Sequence, residues 1–320
     1  MNNMTIYILA PQNQTTGGPE LAHQLCHAIN RMTDIPAYMC YVDLKAPFED
    51  ALAIDCPAPK RYEIYETEHV SDVSLLNRED AFVIAPEGLT LSLYCVPRSK
   101  KILWWMSVDN YISSTHEFNL DYLRDNICLH LFQSYYSKDY VEKKFPGAKG
   151  IFLSDYINEA HGKFIYPANL RQNIALYNPK KGYDDLKPLI DYTPWLKWTP
   201  LLNLDLEQMI FLMEAGKIYV DFGNHPGKDR IPREAASNGC VVITNKKGSA
   251  AYEQDVPIPL MYKFESPSDN LEKIDALLHD ICDNFEIHQN NFASYRDFIK
   301  NEKARFDKDV LSFIEALSTC

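Results

Sequence analysis

Hydrophobic runs and polar turns alternate along nearly the whole 320-residue chain. "TIYILA" (5–10) reads as a buried strand. "GGPELAHQLCHAINRM" (17–32) follows it as a helix, with Pro19 near its start and Leu21, Leu25, Ala28 and Ile29 on one face. Further strands fall at 36–42, 80–88, 100–108 and 127–134, and "SKDYVEKKF" (137–145) reads as a short helix capped by Ser137. A second series begins near Arg171. It has strands at 173–178 and 195–202, the latter weakened by Pro200, then a helix at 205–216 between an Asp205 cap and Gly216, then strands at 217–223 and 240–245. From about Asn270 the pattern turns helical. Leu271, Ile274, Leu277, Leu278 and Ile281 recur at three and four, as do Phe306, Val310, Phe313, Ile314 and Leu317.

A βα succession with short connections predicts parallel sheets with helices on both faces. The expected fold is α/β, with two Rossmann-like doubly wound domains facing a cleft. The expected division is 1–165, 166–300 and a C-terminal helix, 301–320, that packs back on the first domain. The boundary falls in "HGKFIYPANLRQ".

The formal net charge of −12 argues against a nucleic-acid partner, which needs a basic face. It also disfavours an anionic membrane surface, although a local patch allows a weak peripheral association. The eight cysteines are scattered without a Cys-x-x-Cys pair, so no metal site is expected from them and reduced thiols fit a cytosolic protein. The apolar run at the start is shorter than the roughly 7–15 residues of a signal peptide. No stretch is long enough to span a bilayer. The expected location is the cytoplasm, or the inner membrane surface.

"DFGNHPGKDRIPREAASNGCVVITN" (221–245) orders a strand, a polar loop, a helix opened by Pro232 and stopped by Gly239, and a strand. That order holds anions and nucleotides. Gly227, Lys228, Asp229 and Arg230 lie in or beside the loop. Glu234 reads in two ways. It is a first-turn acid that the helix dipole favours by about 0.3–1 kcal/mol, or a carboxylate that accepts hydrogen bonds from vicinal hydroxyls such as a ribose's. "ALYNPKKG" (175–182) ends a strand in a turn with Asn178, Lys180 and Lys181. The lysines either form a solvated basic turn or neutralise a diphosphate. Gly17 and Gly18 open the first helix where a backbone could approach a ligand, though turns use glycine freely. His23 and His27 are spaced as in a zincin helix, but the wheel turns them toward solvent and no glutamate sits between them. In "WWMSVDNY" (104–111), Asp109 stands near a strand end and is the first candidate for a catalytic base. Glu87 in "APEG" is the second, and each is equally an ordinary turn acid. Of Trp104 and Trp105, one is expected in the core, and the other could stack on a sugar.

The segment from Gly223 to Glu253 resembles the C-terminal signature of GT-B glycosyltransferases, above all retaining family four. Glu234-Ala235 and Gly239 fall where that family keeps its nucleotide-ribose glutamate and closing glycine, and Gly227 fits the loop glycine. Lys181-Gly182 looks like the family's diphosphate-holding segment, with Asn178 in place of the usual arginine. The family's first glutamate would sit at Pro226 and is absent; Asp229 or the loop amides could replace it. The resemblance implies transfer of a sugar from a nucleotide-diphosphate donor to a glycan or lipid-linked acceptor in surface polysaccharide biosynthesis. It implies no cofactor and no metal: Lys180, Lys181, Arg230 and the loop amides would neutralise the diphosphate. Two alternatives stay open, a nucleotide-sugar epimerase of the same architecture and a non-catalytic nucleotide-sugar-binding subunit.

Overall fold

The computed structural model describes residues 4–47 and 50–320. The chain divides into two compact units. One runs to Asp155 and adds Ala304–Cys320; the other is Tyr156–Lys303. The final helix, Glu302–Ala316, therefore begins in the second unit and continues in the first.

Among its described residues the first unit holds seven strands: β1 (Thr5–Pro11), β2 (Ala37–Val42), β3 (Leu52–Ile54), β4 (Ala81–Pro86), β5 (Lys100–Trp105), β6 (Ile127–Phe132) and β7 (Gly150–Phe152). Their order across the sheet is β3-β2-β1-β4-β5-β6-β7. All neighbours run parallel except β3, which pairs antiparallel with β2 through Tyr41–Ile54 and Val42–Leu52. Leu9, Val83, Leu103 and Trp105 are buried on one face. Central parallel strands are covered on both sides, which is why they read as unbroken apolar runs.

The second unit holds β8 (Gln172–Tyr177), β9 (Lys197–Pro200), β10 (Gly216–Asp221), β11 (Val241–Asn245) and β12 (Lys263–Phe264), in the order β12-β11-β10-β8-β9, all parallel. Ile218, Val220, Val242 and Ile243 lie in its core with Leu278 and Ile281 of the helix Leu271–Asp283. Buried Arg171 joins several elements. Its guanidinium donates to the carbonyls of Met213 and Gly216 at 3.1 and 2.7 Å and to that of Asn238, where two helices end. Those last-turn carbonyls have no partner within their own helices.

Both sheets are doubly wound, as the alternation predicts. The details differ at three places. The helix Tyr135–Lys144 is capped by Ser134, and Ser137 returns the bond as the third residue of a capping box. Asp205 caps its helix as expected, with Gln208 closing the box. His23 is fully buried, because the short 3₁₀ helix Lys60–Tyr65 and Thr67 cover the face that the wheel gives to solvent. Trp104 and Trp105 are both buried. Their indole N–H groups donate to the Leu153 carbonyl at 3.0 Å and to His130 Nδ1 at 2.9 Å, so neither is available to stack on a sugar. Cys26, Cys40, Cys240 and Cys282 are buried, and Cys56, Cys95, Cys128 and Cys320 are half-exposed. Among the described residues, no helix is long and apolar enough to cross a membrane.

Candidate functional site

In the second sheet the winding reverses between β8 and β10, which are neighbours. Loops leaving two such strands diverge to opposite sides, and a ligand crevice opens between their C-terminal ends. The β8 loop carries Asn178, Lys180 and Lys181. Asn178 Oδ1 accepts from Lys180 N at 3.0 Å, so the side chain in the arginine's expected place closes the turn. Lys180 is exposed and Lys181 half-buried. At Gly182 the backbone has φ +69°, and an added Cβ would run into the backbone of Gly223 in the β10 loop. Only bare backbone on both sides permits that approach.

The approach seats Lys181 against Asp229, and their ammonium and carboxylate form an ion pair. Asp229 Oδ2 also accepts from His225 Nδ1 at 2.7 Å. The other imidazole nitrogen, His225 Nε2, lies 3.8 Å from Asp221 Oδ1. Asp221 fastens the root of the loop, because it accepts from Gly223 N at 3.0 Å and from Tyr219 OH at 3.1 Å. Burial pushes the Asp229 carboxyl up, but the His225 bond and the Lys181 charge outweigh it and hold the group below the usual aspartate range. Burial, then Asp221, drives the Tyr219 hydroxyl far above its ordinary value. Asp221, His225 and Asp229 bring one ligand atom each within 4.8 Å of one another. They are the described residues that could hold a cation, and the Lys181 ammonium already meets one of them.

The helix Arg230–Ser237 starts directly after Asp229. Pro232 is its third residue, where the missing N–H costs nothing, and Gly239 at φ +91° ends it as expected. Glu234 therefore lies in the second turn, not the first, and a first-turn dipole preference does not account for it. It is half-buried, with Oε1 at 3.8 Å from Nε2 of His161.

Lys228 turns inward. Its ammonium pairs with Glu302 at 2.8 Å, beside Arg233, which pairs with the same carboxylate at 2.8 Å. Arg233 also donates to the Asp229 and Lys228 carbonyls at 3.0 and 2.8 Å, so this buried trio clamps the loop backbone. A diphosphate would have to break a buried ion pair to reach Lys228. Gly227 offers its carbonyl to Ser249 Oγ at 2.6 Å, and Arg230 points a guanidinium nitrogen at the Tyr156 carbonyl at 3.5 Å.

In the first unit the winding reverses between β1 and β4. Gly17 and Gly18 open the helix Gly17–Met32 beside this point, and the N-cap Thr16 makes no side-chain bond to that helix. Glu87 follows β4 and is buried. Its Oε2 accepts from Met106 N at 2.9 Å, and burial pushes its carboxyl up to about 7 against those hydrogen bonds. Asp109 sits in the first turn of the helix Val108–Thr115, half-buried, and accepts from Tyr136 OH at 3.0 Å. Lys181 and Asp229 thus meet directly in the second unit, whereas Glu87 and Asp109 belong to the first. Sequence reasoning passed over His225, His161 and Arg171. His225 stood inside the quoted loop, and its four-residue spacing from both Asp221 and Asp229 was the available signal.

Two doubly wound parallel-sheet units in succession form the fold of the GT-B glycosyltransferases. Among solved structures, HepE of Anabaena in complex with UDP and glucose superposes with a TM-score of 0.66 at 12% identity, over 99% of this chain and 100% of that one. A glycosyltransferase from Rickettsia africae gives 0.63 at 11%, covering 97% and 99%. The pneumococcal O-GlcNAc transferase GtfA with UDP and GlcNAc gives 0.64 at 10%, covering 100% and 99%. No family model and no curated protein matches the sequence.

Proposed function

We propose that this protein is a glycosyltransferase of the family-four type, moving a sugar from a nucleotide-diphosphate donor to a glycan or lipid-linked acceptor in surface polysaccharide biosynthesis. One observation carries the reading. At the winding reversal of the second sheet, the Lys181 turn packs against the loop that leads into the Glu234 helix. In this reading Glu234 accepts the ribose hydroxyls. Lys180, Lys181, Arg230 and the amides around Gly227 take the diphosphate without a metal. Lys181 has to leave Asp229 or share it. His225 makes that exchange feasible, since Asp229 keeps a 2.7 Å partner when the ammonium moves. The solved structures that hold UDP with a sugar on this fold support the same class of donor.

Glu87 and Asp109 remain the proposed acid and base candidates. Asp109 is the better placed for direct proton transfer, because Glu87 has no exposed face to offer an acceptor. The rival reading, a nucleotide-sugar-binding subunit, draws on Pro226 standing where the family's first glutamate would be. A thermal-shift screen with nucleotide sugars tests both. The wild type is expected to gain several degrees with one of them, because a ligand bound only by the native state stabilises it by mass action. Glu234→Ala and Lys181→Ala should lose most of that gain. Unchanged shifts in both variants would remove the site, and binding without sugar transfer to any acceptor would favour the rival.

A further inference from the structure

We propose that His161 is the positioning residue for Glu234, and that Asn238 decides which imidazole nitrogen carries the proton. The inference rests on the reading of Glu234 as the carboxylate that accepts the nucleoside's vicinal hydroxyls. Fully buried Asn238 is the starting point, because its amide has one possible orientation. Gly162 N donates to its Oδ1 at 3.1 Å, and its Nδ2 donates to the Glu234 backbone carbonyl at 2.8 Å. A flipped amide would set N–H against N–H at the first contact and oxygen against oxygen at the second.

Nδ2 therefore also donates to His161 Nδ1, 2.8 Å away. Nδ1 is an acceptor and carries no proton, so the proton sits on Nε2. Nε2 faces Glu234 Oε1 at 3.8 Å. That distance exceeds a hydrogen bond, so the attraction is electrostatic. An N–H held facing one carboxylate oxygen favours that orientation of the side chain and leaves the second oxygen for the ligand's diol. The His161 side chain is only 1% exposed, so its N–H is pre-set and not recruited from solvent. The sequence places His161 and Glu234 over seventy positions apart.

The test uses uridine diphosphate and its 2′,3′-dideoxy analogue, with calorimetric affinities for the full chain and its Glu234→Ala, His161→Leu and His161→Gln variants. His161→Leu should weaken uridine diphosphate about fivefold while leaving the dideoxy compound, which has no diol to accept, within about twofold. His161→Gln, which can return an N–H to the same place, should recover most of the loss. A His161→Leu loss equal on both compounds, or no loss, overturns the positioning role. If Glu234→Ala binds uridine diphosphate as the wild type does, the donor-site reading itself falls and takes this inference with it.

Discussion

A buried carboxyl leaves a signature in stability against pH. Burial raises Glu87 from the ordinary 4.5 to about 7, so between those values the native protein holds a proton that the unfolded chain has released. Stability therefore falls as pH rises through that window, by roughly 3 kcal/mol for this group at about 1.4 kcal/mol per unit. His23 and His130 act in the opposite sense. Burial lowers each to about 4, so their share of stability grows as pH rises toward 6.5. Glu87→Gln keeps an oxygen acceptor for Met106 N and removes the titration. Urea unfolding at a series of pH values should show the wild type losing roughly 3 kcal/mol relative to Glu87→Gln between pH 4.5 and 7. Parallel curves for the two proteins would mean that the carboxyl is solvated.

Elements of regular structure were legible where local chemistry decides them. Asp205 with Gln208, Pro232 and Gly239 each mark a helix end through a bond or a dihedral confined to a few residues. The winding of both sheets followed from apolar runs alternating with amphipathic helices. Three features were not legible, because the partner is remote in sequence. Glu302 draws Lys228 inward, the segment 60–67 covers His23, and Leu153 and His130 receive the two indoles. β3, β7 and β12 were missed because two or three residues carry no period. Arg171 is the strongest instance of a remote tie, since it joins carbonyls from two helix ends. Arg171→Met should leave the Met213 carbonyl only the weak Cys240 thiol as donor, at 3.0 Å, and take the guanidinium from the Gly216 and Asn238 carbonyls; the expected cost is about 3 kcal/mol, read as a fall of several degrees in melting temperature. A change below about 1 kcal/mol would show that water replaces the guanidinium.

At the scale of the whole chain, the first unit is completed by residues that come last. Phe306, Val310, Phe313 and Leu317 are buried, and Asp307 and Asp309 tie this helix to Arg31 and to Ser154 N at 2.7 and 3.2 Å. The second unit is continuous, from Tyr156 to Lys303, and includes the Glu302 carboxylate that neutralises Lys228 and Arg233. A chain stopped after Lys303 should keep the second unit's slow amide exchange and lose that of β1, β4 and β5. Hydrogen exchange read by mass spectrometry separates the two sets of peptides. Equal loss in both would mean that the units do not hold structure separately.

The distribution of cysteines has a practical consequence. All four half-exposed thiols belong to the first unit, while Cys240 and Cys282 of the second are buried, with Cys240 pushed up to about 11 by burial. Alkylation needs both access and a thiolate, so a maleimide dye added to intact protein would colour one half of the molecule alone. Any later uptake at Cys240 or Cys282 would clock the moments when the other half breathes open.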